Sequence, residues 1–112
     1  MAIIDLDIHH GNGTEDIVRR YPNPSRLFFY SVHLFEKDEG YEFFPGTGAG
    51  DDAAHNIVNV PIYPLWGQEC APPGAVNEIE YGRIAYRKAI TERLLPALRA
   101  FNPSLILMST GF

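Results

Sequence analysis

The chain has 112 residues and a net charge of −5; 46% of its residues are hydrophobic and 21% are charged, as in a globular domain rather than a disordered or fibrous chain. The absence of a basic run argues against direct nucleic-acid binding, and the sequence shows neither an apolar run of the roughly 20 residues that span a bilayer nor a signal peptide. Cys70 is the single cysteine, which excludes an internal disulfide and a multi-cysteine zinc ribbon and leaves cytoplasm or nucleus as the expected compartment.

The first predicted element is a strand over residues 2–8 that carries acids and an imidazole at alternate positions. Because side chains on a strand repeat every two residues, we expect Asp5, Asp7 and His9 on one face and the aliphatic residues between them on the other. The turn at residues 11–13 places His9 at the carboxyl end of the strand, where open parallel sheets bind ligands. Acids that lie on a buried strand need a partner, so this segment is a candidate metal site.

Three interpretations of this segment were compared. Asp7 and His9 can reach the same zinc ion, with Asp5, one pleat deeper, accepting a hydrogen bond from an imidazole. An Asp/His cluster that caps the turn through backbone amides stays open as an alternative. A calcium loop is excluded, because its sixth position needs glycine but is His10 here, and its twelfth position is Asp16 instead of glutamate.

The remaining elements alternate between helix and strand. A helix is predicted over residues 14–20 with Thr14 as its N-cap. The later elements are a buried strand at 26–33, a long loop at 34–55, a short strand at 56–61, a connection at 62–76, a helix at 77–101 bent near Pro96, and a buried strand at 104–112. This order predicts an α/β fold. Because buried parallel strands need neighbours on both sides, we expect an interior piece of a larger domain.

A family resemblance follows from four segments in order. The segment Asp5-Leu6-Asp7-Ile8-His9-His10-Gly11-Asn12-Gly13-Thr14 closely resembles the zinc-binding strand of the histone deacetylase family, and its last three residues resemble class II in particular. The family also includes the related acetylpolyamine amidohydrolases. Residues 30–33, 43–48 and 102–112 match further segments; they read Tyr-Ser-Val-His, Phe-Phe-Pro-Gly-Thr-Gly and Asn-Pro-Ser-Leu-Ile-Leu-Met-Ser-Thr-Gly-Phe. The resemblance implies that residues 1–112 are the central part of a three-layer αβα arginase/deacetylase-type domain with a mainly parallel sheet, truncated at both ends.

The resemblance also implies an activity. It implies zinc-dependent hydrolysis of the acetyl amide of N-acetyl-lysine in histones or other proteins, and thus a role in chromatin regulation. It also implies membership of a multiprotein complex and a location in the nucleus and/or cytoplasm. Two alternatives stay open, namely an acetylpolyamine amidohydrolase and a truncated, non-catalytic homologue that acts as a binding module. The aromatic segment at residues 43–48 favours a protein substrate.

Roles for individual residues come from the same resemblance. Asp7 and His9 would bind zinc, and the third ligand would be an aspartate directly after Phe112. Asp5 and Asn12 would support the two histidines of the family's His-His pair, which would precede this chain. With two of three zinc ligands and no general base, the chain by itself is expected to be inactive.

The resemblance further implies a structural potassium ion and a substrate tunnel. The potassium ligands would be the main-chain carbonyls of Asp5, Asp7, His9 and Val32 and the side chains of Asp5 and Ser31. Phe44 would form one side of the tunnel for the acetyl-lysine stem; the alternative is an ordinary core aromatic. We expect His10 and His33 to be structural, and Asp51, Asp52 and His55 to be solvated.

Overall fold

The computed structural model describes residues 1–38, 41–64 and 78–111. Its strands are β1 (Ala2–Asp5), β2 (Phe28–Leu34), β3 (Lys37–Asp38), β4 (Tyr41–Glu42), β5 (Ile57–Ile62) and β6 (Ile106–Ser109). Its helices are α1 (Asn12–Arg20), α2 (Glu78–Lys88) and α3 (Leu95–Phe101), with a π-helical segment at Ala89–Leu94 and short 3₁₀ turns at Pro24–Arg26 and Ala53–His55. Cys70 and most of the predicted connection at 62–76 lie outside the described residues.

Four parallel strands form the central sheet in the order β5-β2-β1-β6. Asp5, the last residue of β1, pairs in register with Ser31 on one side and Ser109 on the other. Because all four strands run the same way, their carboxyl ends lie along one edge of the sheet. Residues that follow β1, β2 and β6 are therefore brought together there.

Helices cover both faces of the sheet, as the predicted three-layer αβα fold requires. On β2, Phe28, Tyr30 and Val32 pack on the face that carries Ala89 and Leu94 of the π-helical segment. On the opposite face, Phe29 of β2 and Ile57 of β5 pack against Val18 of α1. The fully buried Tyr30 hydroxyl donates a 2.9 Å hydrogen bond to the carbonyl of Ala89, which ties the irregular helix to the sheet.

The first strand is shorter than predicted. β1 ends at Asp5, and residues 7–9 form a bend. Side chains compete there for main-chain donors: Asp5 Oδ1 accepts the N–H of Asp7 at 3.0 Å, and Asp7 Oδ1 accepts the N–H of His9 at 2.6 Å. These local bonds replace ladder hydrogen bonds and end the strand, so the expected alternation on one strand face stops at Asp5.

Two helix predictions need correction or refinement. Thr14 is not an N-cap, because α1 begins at Asn12 with Gly11 as its cap residue, and no side chain bonds the free amides at this cap. The predicted helix at 77–101 is not continuous: a π-helical segment interrupts it just before Pro96. Pro96 has no N–H for the carbonyl of Glu92, and the chain passes through the π-helical segment immediately before α3.

The last strand is not buried, contrary to the prediction. Each of its apolar residues is about half exposed, from 45% for Ile106 to 62% for Met108. β6 lies at the edge of the sheet, where it pairs only with β1 among the described residues. An apolar strand is therefore buried only when the tertiary structure supplies a layer on its faces.

Candidate metal centre

Asp7 and His9 meet at the carboxyl edge of the sheet. His9 Nδ1 lies 3.1 Å from Asp7 Oδ1, and the His9 side chain is half exposed. The backbone hydrogen bond from His9 to the same oxygen holds the two residues in this arrangement. Although the strand face predicted for them does not exist, the bend brings together the two atoms that the sequence proposes as ligands.

The separation of these two atoms fits a shared zinc ion. Zinc binds imidazole nitrogen and carboxylate oxygen at about 2.0–2.2 Å, so two ligands of one tetrahedral ion lie roughly 3.4 Å apart. The observed 3.1 Å is close to that value. Among the described residues, however, no group of three or more His, Cys, Asp or Glu side chains could hold a metal ion. The described residues therefore bring together two candidate ligands, Asp7 and His9, without a third.

The end of β6 reaches the same place. Gly111 has a φ of +67°, and a Cβ added to it would overlap the carboxylate of Asp7 at Oδ2. Only glycine allows the main chain to pass this close to the carboxylate. The backbone that follows β6 is therefore positioned beside Asp7.

Asp5 and Asn12, the expected supports for a histidine pair, differ in their exposure. Asp5 is buried, and burial raises the pKa of its carboxyl group while the hydrogen bond from the Asp7 amide opposes this effect. Asn12 is exposed at the first position of α1.

Two aromatic side chains flank the ring of His9. Phe43 stacks on it, with ring centroids 5.6 Å apart and planes inclined by 21°, and Phe44 contacts it edge-on at 6.0 Å. The Phe44 side chain is 76% exposed, so it is not the ordinary core aromatic considered as an alternative. We call Phe43 and Phe44 the aromatic wall, because together they border the open side of His9.

Ser31, one of the expected potassium ligands, lies in the buried part of β2. Ser31 is fully buried next to Asp5 in register, and its Oγ is 2.9 Å from His33 Nδ1. His33 Nε2–H donates to the carbonyl of Gly48, and burial together with the nearby His10 lowers the pKa of His33 to about 4. The neutral ring therefore accepts the Ser31 proton at Nδ1, which leaves lone pairs on Ser31 Oγ for a cation.

A buried polar network lies behind the site, and sequence reasoning missed it. The carboxylate of Glu15 accepts hydrogen bonds from Asn59 Nδ2 at 2.8 Å and from Arg19 Nη2 at 2.8 Å, and lies 2.7 Å from His10 Nε2. Burial alone would raise the pKa of Glu15, but the hydrogen bonds with Asn59 and His10 and the charge of Arg19 hold it below its usual value. Asn59 was the available signal, as a single polar residue between Val58 and Val60.

The network extends to the surface through residues that the sequence suggests to be solvated. Arg19 Nε donates to Asp52 Oδ2 at 3.0 Å, and His55 Nδ1 lies 2.8 Å from the same oxygen. Asp51 pairs with Arg93 at 2.6 Å. Asp51 is exposed and Asp52 and His55 are partly exposed, as expected for solvated residues, and each of them also has an oppositely charged or hydrogen-bonding partner. His10 and His33 are buried in the network, as expected for structural residues.

A family model, curated relatives and a solved structure all indicate the same family for this chain. The family model described as "Histone deacetylase domain" matches residues 1–112. The whole chain is 38% identical to a Synechocystis protein called "Uncharacterized protein slr0245", covering 30% of it, and 35% identical to human histone deacetylase 9, covering 10% of it. The crystal structure of the HDA15 HD domain superimposes with a TM-score of 0.67 and 33% identity over 99% of this chain and 27% of that one.

These matches also give the proportion of each relative that the chain represents. It spans 30% or less of the length of each of these proteins. Within the described residues, no helix combines the length and apolar character needed to cross a bilayer.

Proposed function

Since the chain belongs to the histone deacetylase domain family, we propose that it supplies part of a site for zinc-dependent hydrolysis of N-acetyl-lysine in histones or other proteins. The observation that carries this proposal is the 3.1 Å approach of Asp7 Oδ1 and His9 Nδ1 beside the aromatic wall. Only a complete domain, with residues beyond those of this chain, would catalyse the reaction. We propose that residues 1–112 are the central part of such a domain, in a protein of the nucleus and/or cytoplasm that joins a multiprotein complex.

Two residues of this chain would hold the metal. Asp7 would bind zinc through a carboxylate oxygen and His9 through Nδ1, and the third ligand would be an aspartate directly after Phe112. The approach of Gly111 to Asp7 supports that position, because the main chain after β6 already lies beside the carboxylate. A zinc ion held there supplies Lewis-acid polarisation of the amide carbonyl and of a bound water.

Other residues would bind substrate and support catalytic groups. The exposed Phe44 side chain offers an apolar surface for the methylene stem of acetyl-lysine, and Phe43 keeps the His9 ring oriented by stacking. Asp5 would accept a hydrogen bond from one histidine of the family's pair. Asn12 would bond the other through a neutral amide, which stabilises an imidazolium less than a carboxylate does.

A potassium ion would stabilise the strand ends. Its ligands would be the main-chain carbonyls of Asp5, Asp7, His9 and Val32 with the side chains of Asp5 and Ser31. The β1–β2 register supports this set because it pairs Asp5 with Ser31, and the hydrogen bond to His33 leaves the Ser31 oxygen able to bind a cation. This role is structural and separate from hydrolysis.

A second candidate function is a non-catalytic binding module. The observation in its favour is the exposed aromatic wall, which offers an apolar surface for a methylene stem without any metal ion. Such a module would still bind an acetyl-lysine stem against the aromatic wall. It would not hydrolyse the amide in any complete protein that contains this chain.

Deacetylation assays on two proteins test the proposal. The purified 112-residue chain should show no hydrolysis of an acetyl-lysine peptide and only weak zinc binding, whereas a complete catalytic domain that contains it should be active. In that domain Asp7→Asn or His9→Ala should lower kcat/KM more than about 100-fold, beyond the effect of a residue that only supports a ligand. Asp16→Asn, an exposed acid on α1, is the matched control and should leave activity unchanged.

Each arm has an outcome that contradicts the proposal. Hydrolysis or tight stoichiometric zinc binding by the 112-residue chain would mean that the ligand set is misassigned. An inactive complete domain that still binds acetyl-lysine peptides would favour the binding module. Faster hydrolysis of an acetylated polyamine than of the peptide would favour the polyamine amidohydrolase.

A further inference from the structure

Two buried histidines hold the turn that follows the aromatic wall. The rings of His10 and His33 lie 4.5 Å apart, centroid to centroid, and each side chain is almost completely buried. His10 Nδ1 is 2.7 Å from the hydroxyl of Thr47, and His33 Nε2 is 3.1 Å from the carbonyl oxygen of Gly48. Consecutive residues of one turn are thus bonded to adjacent rings.

The hydrogen-bond directions follow from the outer partners. The Glu15 carboxylate only accepts, so His10 carries its proton on Nε2 in the neutral ring, and Nδ1 accepts the hydroxyl proton of Thr47. The carbonyl of Gly48 also only accepts, so His33 donates from Nε2 and accepts from Ser31 at Nδ1. Thr47 is therefore bonded through its side chain, and Gly48 through its main chain.

The fit of the turn on the rings leaves no room for another side chain. Gly48 has a φ of +85°, and a Cβ at this position would lie 2.5 Å from His33 Nε2 and 2.7 Å from His10 Cδ2. L-residues with a side chain rarely adopt such a φ, so the turn approaches the rings as closely as only glycine allows. Thr47 itself is exposed, so its position depends on its hydrogen bond to His10 and on the packing of the adjacent Gly48.

The turn that contains Thr47 and Gly48 also determines the position of the aromatic wall. Phe43, whose carbonyl accepts the N–H of Gly46 at 2.7 Å, precedes Thr47 by only four residues. Phe43 and Phe44 in turn contact the His9 ring, and His9 is the residue next to His10. These contacts form a closed circuit: His10 bonds Thr47, the segment before Thr47 carries Phe43 and Phe44, and these two rings contact His9.

We propose that Thr47, through its hydrogen bond to His10, is a positioning residue that sets the distance between the aromatic wall and His9. Its consequence for catalysis rests on the proposed function, in which the aromatic wall holds the acetyl-lysine stem over the metal. Thr47 itself contacts neither zinc nor the reacting amide. Its hydroxyl couples the bend that carries the zinc ligands to the loop that binds substrate.

A variant pair isolates the hydroxyl from the packing of the loop. Thr47→Val keeps the shape of the side chain but removes the donor, and Thr47→Ser keeps the donor. The Val variant leaves His10 Nδ1 without its partner in a buried site, which favours movement of the loop towards solvent. A merely structural role for the loop would respond to side-chain shape, and the Ser and Val variants would then behave in the opposite order.

The first measurement uses the 112-residue chain and needs no catalysis. The NMR signals of the His9 ring protons should be shifted upfield by the stacked Phe43 ring, and Phe43→Ala defines the unshifted position. Thr47→Val should move the His9 signals to that position while the amide spectrum stays dispersed, and Thr47→Ser should keep the shift. Thr47→Ala serves as a second donor-free variant if the Val variant does not fold.

The second measurement uses the complete catalytic domain. Thr47→Val should raise KM for an acetyl-lysine peptide by about tenfold while kcat changes by less than about threefold, and Thr47→Ser should restore KM. Retention of the His9 shift in both donor-free variants would overturn the positioning role, whatever the activity. An inactive wild-type domain in which the NMR result holds would overturn the proposed function instead.

Discussion

Gly111 and His9 lie on two sides of one carboxylate: Asp7 Oδ1 faces the imidazole of His9, and Oδ2 faces the backbone of Gly111. The end of β6 thereby limits the orientations that the Asp7 carboxylate can adopt. A candidate zinc ligand is thus oriented by its own bend and by a strand end that is distant in the sequence.

Gly111→Ala should disturb the metal site without unfolding the chain. The new Cβ would overlap Asp7 Oδ2 and would sit at a φ of +67°, so the carboxylate or the strand end must move. We expect metal affinity of the complete domain, measured by cobalt titration, to fall at least about tenfold, as for the loss of a ligand's support.

Gly82→Ala is the matched control for that substitution. Gly82 lies within α2, and a Cβ there meets nothing within 4 Å. This change should leave cobalt affinity unchanged and raise the free energy of unfolding by about 0.5–1 kcal/mol, because alanine favours a helix over glycine. Equal cobalt affinity in the Gly111 variant and the wild type would contradict the proposed constraint.

Potassium should stabilise the folded chain through Ser31. We expect the free energy of unfolding in KCl to exceed that in tetramethylammonium chloride of the same ionic strength by about 1 kcal/mol, at a potassium concentration roughly five times the Kd. Ser31→Ala removes the proposed side-chain ligand, so its unfolding curves should coincide in the two salts. A potassium effect of the same size in the variant would exclude Ser31 as a ligand.

Stability should decrease in mild acid because of His33. Burial and the neighbouring His10 lower the pKa of His33 in the folded chain to about 4, against an ordinary value of 6.5. Below pH 6.5 the unfolded chain binds a proton that the folded chain does not. The free energy of unfolding contributed by this group is therefore fully present above pH 6.5 and is lost as the pH falls towards 4, by at most about 3 kcal/mol.

Urea unfolding of the wild type and of His33→Gln between pH 7 and pH 5 measures this contribution. Glutamine cannot titrate, so the variant should be less stable at pH 7 and should lose less stability on acidification. The chosen window lies above the range in which Glu15, whose pKa is lowered from 4.5, contributes. Parallel pH profiles for the two proteins would show that another group is responsible.

The exposed edge of β6 should promote self-association. On the side away from β1, its backbone groups pair with no other strand among the described residues; three of its four side chains are apolar, and Met108 is 62% exposed. Edge strands of this kind pair with other chains unless a charge prevents it. Met108→Lys should therefore reduce the concentration-dependent increase in apparent mass that sedimentation velocity detects. Ile17→Lys on α1 replaces an apolar residue of similar exposure away from the edge, and it should have no such effect.

Much of the fold and part of the site could be predicted from the sequence. The order of helices and strands, an irregularity of the last helix near Pro96 and the αβα class followed from periodicity, proline chemistry and the resemblance. The exposure of β6 could not be predicted, because a run such as Ile106–Ser109 has the same composition whether or not another layer covers it. The roles of Glu15 and Thr47 were missed for a related reason: each depends on partners far away in the chain.

The sequence by itself determined the chemistry that is local. Asp7 and His9 are two residues apart. The amides of Asp7 and His9 donate hydrogen bonds to the carboxylates of Asp5 and Asp7, and this local arrangement brings Asp7 Oδ1 and His9 Nδ1 together with little help from the rest of the fold. Ser31 and His33 are likewise two residues apart on β2.

Only the tertiary structure decided which distant groups meet these local pairs. The bond between Thr47 and His10 joins positions 37 residues apart, and the bond between Asn59 and Glu15 joins positions 44 residues apart. The approach of Gly111 to Asp7 depends on the parallel pairing of β6 with β1. The physical reason is that parallel strands bring their carboxyl ends to one edge of the sheet, and packing then selects the groups that touch there.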